Sequence, residues 1–264
     1  MNTFEEKCLQ IRHDILKIFL GGKRGHVPSA YSLVEILVTI YYDFSKITPD
    51  NYSQSDKIIL SKGHGCLALY AILADKEFFS KEEFSKFCKI GGILGGHPTR
   101  DKIPGVEASS GSLGHGASIG VGKALALKKK ERKEKVIVIV GDGECNEGSV
   151  WEAALSANKN QLDNFIIIID FNKSQSYGST NSVCPLEPFS DKWSSFGFDV
   201  AEVDMVNSPQ ELLSTLQAKR NKPLAIICHT IKGQGNSFLE NNLSWHHKNN
   251  ITQKDIDHLQ KHMK

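Results

Sequence analysis

The sequence predicts one α/β domain over residues 1–264, a doubly wound and mainly parallel sheet with helices on both faces. Three observations carry this. Segments 136–140, 165–169 and 224–228 are short, apolar throughout and rich in β-branched residues, the composition of strands covered on both faces. Helix-like stretches over 147–160 and 209–220 lie between them, and alternation of strand with helix marks a parallel sheet. A glycine-rich turn begins where the first of these strands ends, the place where open α/β sheets bind ligands.

Each element follows from local pattern. Phe4, Cys8, Ile11, Ile15, Ile18 and Phe19 fall on one face at helical spacing, so residues 3–20 read as an amphipathic helix. Gly21-Gly22-Lys23-Arg24-Gly25 breaks it. A second helix is expected from Ser32, with Val34, Leu37, Val38 and Tyr41 inward, and Lys57–Leu60 reads as an earlier strand. The run 128–135 mixes lysines and an arginine with two glutamates and reads as a solvated helix end before a strand. Residues 252–264 suit a closing helix. There is no internal repeat, low-complexity tract or linker.

Composition narrows the class. Of 264 residues 40% are hydrophobic and 23% charged, with a net charge of +2 that is not gathered on one segment. No nucleic-acid partner is expected from that distribution. The longest apolar runs are too short to cross a bilayer, so no membrane association is expected. Cys8, Cys66, Cys88, Cys145, Cys184 and Cys228 form no Cys-x-x-Cys pair, which fits a reducing compartment better than a zinc site or a disulfide framework. The first residues lack the basic start and apolar run of a signal peptide, so a cytoplasmic location is expected.

The strongest chemical signal is Gly141-Asp142-Gly143-Glu144-Cys145-Asn146-Glu147-Gly148. It departs from the dinucleotide pattern because Asn146 stands where the third glycine belongs. It also puts a carboxylate, Asp142, inside a phosphate-type turn, where it would repel a pyrophosphate unless a divalent cation lay between them. Magnesium commonly bridges one carboxylate to phosphate oxygens and requires octahedral oxygen ligands. The strand over 165–169 leads to Asp170-Phe171-Asn172-Lys173-Ser174, which offers the Asn172 amide oxygen and the Ser174 carbonyl as further metal ligands. The other reading is a tight turn with a helix-capping Asp and an unrelated loop Asn.

Glycine-aspartate-glycine followed by one crossover and an asparagine resembles the thiamine-diphosphate motif. Histidines in glycine-rich contexts extend the resemblance in chain order: Gly25-His26, Ser61-Lys62-Gly63-His64-Gly65, Gly96-His97-Pro98, Gly111-Ser112-Leu113-Gly114-His115-Gly116, and Trp245-His246 after Lys232-Gly233-Gln234-Gly235. The ordered set is similar to the transketolase family over about residues 10–250. The resemblance implies thiamine diphosphate and Mg2+ (or Ca2+ or Mn2+) as cofactors, with Asp142, Asn172 and Ser174 on the metal. His64, the turn Gly141-Asp142-Gly143-Glu144 and Asn172 would hold the cofactor's diphosphate. Gly111, Leu113 and Gly114 would lie against its aminopyrimidine, and His246 would also touch it. His26, His97 and His246 would face the sugar substrate, and histidine suits proton transfer near neutral pH. Glu147 resembles a buried glutamate linking two active sites, and equally suits an acid at a helix N-terminus. The sequence departs from the family after His26, where Val27-Pro28-Ser29 stands, at His115, and at His247.

In this family the glutamate that activates the cofactor belongs to a second α/β domain, for which the residues after about 250 leave no room. The resemblance therefore implies the N-terminal subunit of a split transketolase, whose partner is a separate C-terminal subunit supplying that Glu, in an α2β2 assembly. Such an enzyme would move a two-carbon ketol unit between sugar phosphates. A component of another divided thiamine-diphosphate enzyme, a decarboxylase or dehydrogenase of 2-oxo acids, and a non-catalytic paralogue remain alternatives.

Overall fold

The computed structural model describes residues 3–245 and 251–264. The N-terminal third is helical: α1 (Phe4–Gly22), α2 (Val27–Tyr31) and α3 (Val34–Val38), the last running into a π-helical turn over Thr39–Phe44. There follow β1 (Lys57–Leu60), α4 (Cys66–Asp75), α5 (His115–Lys129), β2 (Val136–Gly141), α6 (Gly148–Lys159) and β3 (Phe165–Phe171). The remainder comprises α7 (Thr180–Val183), α8 (Phe189–Ser195), β4 (Asp199–Asp204), α9 (Glu211–Gln217), β5 (Leu224–His229) and α10 (Gln253–Lys261).

The five strands form one sheet in the order β1-β2-β3-β5-β4, and every pair is parallel. Period-two alternation divides their side chains between two cores. Ile137 and Ile139 of β2 join α1 to α4 and α9 on one face. Val136, Val138 and Val140 pack against α5, α6 and α8 on the other. Helices thus cover both faces, as the sequence predicts, because a strand apolar at every position has no side to turn to water.

Boundaries mostly follow the pattern, with three differences. The second helix starts earlier, at Val27, because Pro28 suits a first helical turn, and it is interrupted at Ser32 and Leu33 before α3. There the Ser32 hydroxyl donates to Asp170 Oδ2 (2.7 Å) and to the Ser29 carbonyl (3.3 Å). β4, with sequence Asp-Val-Ala-Glu-Val-Asp, is an edge strand paired only with β5 and mostly half-exposed, so it lacks the apolar run that marks the other strands. α4 is buried from Cys66 to Ala74, with no polar stripe to give it helical periodicity. Among the described residues no helix is long and apolar enough to cross a membrane.

Candidate cofactor-binding and active site

The register of β2 against β3 pairs Gly141 with Asp170, so the turn after β2 lies beside the loop after β3. Between them opens a cavity of about 340 Å³ at the carboxyl ends of the strands. Asp142, Asn172 and Ser174 line it, together with His64, Leu113, Gly141, Gly143, Glu144 and Glu147. Nine of the residues singled out from sequence therefore meet at one place. Lys62 and Lys232 line it as well.

Asp142 is buried, with Oδ1 accepting from the Gly143 amide (2.7 Å) and Oδ2 from the Thr180 hydroxyl (2.9 Å). Burial and then the nearby Asp170 carboxylate push its pKa above the usual range, the condition a bound cation would relieve. Asn172 Oδ1 accepts from the Ser174 amide (3.2 Å), and the Ser174 carbonyl accepts from Lys232 Nζ (3.2 Å). The Ser174 hydroxyl and the Gln175 amide nitrogen are buried beside the cavity without a partner among the described residues. One carboxylate, one amide oxygen and one carbonyl make an all-oxygen donor set suited to a hard divalent cation. Among the described residues no three His, Cys, Asp or Glu side chains gather as a metal cluster, so a cation here would rest on this mixed set.

Two lysines border the cavity. Lys62 is almost wholly buried and is paired to Asp170. Burial raises the Asp170 carboxyl, but Lys62 outweighs it, with the Thr230 and Ser32 hydroxyls adding to the effect, and the net shift is downward. Lys232 is held down at about 8 by burial and then by Lys62. Lys62, Lys232 and Asp170 stand inside the sequence motifs, yet the motifs alone give them no role. A signal was available for Asp170: an aspartate closing an all-apolar strand must have a buried cationic partner.

Glu144 faces the scaffold. One carboxylate oxygen accepts from the Ser61 hydroxyl and the Gly114 amide (2.8 Å), the other from the Gly141 amide (3.0 Å). It ties the turn after β2 to the start of α5, and burial keeps its pKa raised. Gly114, the N-cap of α5, has φ 79°, and a Cβ there would lie 2.3 Å from Ser149 Oγ. Glycine is needed at this crossing of α5 and α6.

The histidines fall around the same opening. The rings of His26 and His64 meet edge to face with centroids 5.6 Å apart. His97 is exposed, and its ring borders Gly111, where a Cβ would lie 3.4 Å away. A Cβ on Gly63 would in turn come within 2.9 Å of the Gly111 amide, so the loop bearing His64 and the ring of His97 both meet the chain at Gly111. Glu147 is the N-cap residue of α6 and is exposed in this chain, which suits its helix-terminus reading, whereas burial would require a second chain. His246 lies outside the described residues. Trp245 before it is buried against Phe238, with ring centroids 5.5 Å apart.

A parallel α/β sheet with a polar cavity at its carboxyl edge, lined by three carboxylates, two lysines and a histidine, is the arrangement of a domain that binds a small polar ligand beyond its strand ends. The chain belongs to the transketolase family: residues 10–263 match the family model described as the transketolase thiamine-diphosphate-binding domain. It is 38% identical over 252 residues to one subunit of the apulose-4-phosphate transketolase of Phocaeicola vulgatus, covering 94% of this chain and 89% of that one. It is 41% identical over 226 residues to the 6-deoxy-6-sulfo-D-fructose transketolase subunit SqwG of a Clostridium species, covering 84% and 82%. The crystal structure of a Pichia stipitis transketolase variant in complex with fructose 6-phosphate superposes with a TM-score of 0.89 at 25% identity. That match takes in 99% of this chain and 40% of the solved one, so the chain spans less than half the length of the solved transketolase.

Proposed function

We propose that this chain is the diphosphate-binding subunit of a two-chain, magnesium-dependent transketolase, acting on ketoses with an anionic end. The observation that carries the reading is the convergence of Asp142, Asn172, Ser174, His64 and Lys232 on one cavity beyond β2 and β3. Asp142, Asn172 Oδ1 and the Ser174 carbonyl would hold Mg2+ (Ca2+ or Mn2+ being suitable replacements), and His64 and Lys232 would meet the diphosphate. Gly111, Leu113 and Gly114 would border the aminopyrimidine. Thiamine diphosphate, when bound, supplies a carbon nucleophile able to accept and hand on a two-carbon ketol unit. His26, His97 and His246 would orient the sugar's hydroxyl and carbonyl oxygens and exchange protons with them.

The two-chain arrangement is supported by relatives of nearly this length that are themselves called subunits. The partner would be a separate C-terminal subunit that supplies the activating glutamate, in an α2β2 complex. Those relatives' names carry a sugar phosphate in one case and a sulfonated sugar in the other, which supports an anionic ketose as donor.

Purified alone with magnesium and thiamine diphosphate, the chain should show no ketol transfer from a ketose phosphate, and it should gain activity when mixed with its C-terminal partner. Hydrogen–deuterium exchange at C2 of the cofactor reads the activating acid directly. Fast exchange with the lone chain would mean that an acid within these 264 residues activates the cofactor, and the two-chain reading would fall.

A further inference from the structure

We infer that the buried Arg12–Glu35 pair is a positioning device for the loop over residues 231–236, which presents Lys232 to the cavity. The inference rests on the reading of that cavity as the diphosphate site. Arg12 lies on the inward face of α1 and is 3% exposed, and an arginine is rarely buried this far without specific partners. Its Nη2 donates to Glu35 Oε1 of α3, a carboxylate that is itself buried. Its Nε donates to the main-chain carbonyl of Gln234 at 3.0 Å. The guanidinium therefore joins α1 and α3 to the loop with charge-assisted bonds, stronger than neutral ones.

The loop is shaped to receive it. Gly235 has φ +81°, and a Cβ there would lie 2.2 Å from Arg12 Nε and 2.3 Å from Cζ. The backbone thus packs directly against the guanidinium, an approach only glycine permits. Further ties fix the neighbouring residues: the Gly233 amide donates to the Pro28 carbonyl at 3.0 Å, and Gln234 Nε2 to the Met205 carbonyl at 2.9 Å. Lys232, next in the chain, reaches the opposite way to the Ser174 carbonyl at 3.2 Å. Arg12 does not line the cavity that Lys232 lines; it borders a separate one behind the loop. It acts on the site only through the loop. A lysine at position 12 would keep the charge and lose the planar fork.

Two variants of the full chain test this, Arg12→Lys from the helix side and Gly235→Ala from the loop side, with Lys232→Met as comparator. Amide hydrogen exchange over 231–236 and calorimetric titration with thiamine diphosphate and magnesium are the readouts. In both brace variants these amides should exchange at least about tenfold faster than in wild type, and affinity should fall about tenfold, the usual weight of one bond to a charged group. Lys232→Met should weaken binding and leave the exchange unchanged. Wild-type exchange over 231–236 in both brace variants overturns the inference, whatever their affinity. Should Arg12→Lys fail to fold, Gly235→Ala, at a half-buried position of the loop, carries the same test. If the wild-type chain binds no thiamine diphosphate, the reading of the cavity fails, and the exchange measurement still decides whether Arg12 holds the loop.

Discussion

Asp170 and Asp75 are each met by four donors, yet they belong to different kinds of region. Asp170, at the end of β3, takes bonds from Lys62, Ser32, Thr230 and Asn172, and is fully buried. Asp75, at the end of α4, takes them from Lys7, Gln10, Tyr42 and Lys81 and is only half-buried. Burial pushes both carboxyls up, and in both the surrounding donors outweigh it, taking Asp75 down to about 2. Donors alone therefore do not separate a site from a half-buried network. What differs is the state of the further carboxylate: Asp14, which shares Lys81 with Asp75, is also paired to Lys17, whereas Asp142 near Asp170 is left with a raised pKa. An excess of buried negative charge marks the region built for a cation, whereas the Asp75 network is balanced by Lys7 and Lys81.

The largest effect that could break this comparison is expected at Lys62. Lys62→Met leaves Asp170 buried without its cation, which typically costs about 3–5 kcal/mol. Urea unfolding of the cofactor-free chain should report it, and adding Asp170→Asn should restore part of the loss. A Lys62→Met protein as stable as wild type would place the hub on a par with a surface pair.

Next comes Asp142→Asn, predicted to act in opposite directions on binding and stability. Affinity for thiamine diphosphate with magnesium should drop by at least about 100-fold, since even residues behind metal ligands are worth about 10–100-fold. The cofactor-free chain should melt no lower than wild type, because a buried carboxylate facing a like charge has been neutralised. Calorimetry and thermal melts separate the two effects, and undiminished affinity would remove Asp142 from the metal set.

Asp75→Asn should cost at most about 2.6 kcal/mol, the weight of its depressed carboxyl, and less than Lys62→Met because its network is only half-buried. Its pH signature gives the smallest effect. The Asp75 carboxyl is depressed to about 2 against an ordinary value of about 3.9, so its stabilisation is full above pH ~4 and is lost as pH falls toward 2. Unfolding followed from pH 5 to 2 should show a shallower acid decline in Asp75→Asn than in wild type. Parallel curves would assign the acid sensitivity elsewhere.

The sheet was legible because β2, β3 and β5 carry apolar residues along their lengths, a demand that only burial on both faces makes. β4 was not, since an edge strand half in water can be Asp-Val-Ala-Glu-Val-Asp and look like a loop. Asp142 stood out by a local contradiction, an acid inside a phosphate-type turn, and Asn172 by its distance of one crossover. Lys62 and Lys232 gave no such signal. Their neighbours in sequence are mostly glycines and apolar residues, and their relation to Asp170 and Ser174 arises only after distant segments pack.

Sequence by itself determined what short-range pattern can encode: the α/β class, the parallel strands and the turn that carries Asp142. Tertiary structure decided which charges share a cavity, because the partners of Asp170 come from positions 32, 62, 172 and 230. It also decided that Arg12 reaches a carbonyl 222 residues away in the chain. Periodicity is read along a segment, whereas Coulomb energy and desolvation depend on distances through space, which only the folded chain sets.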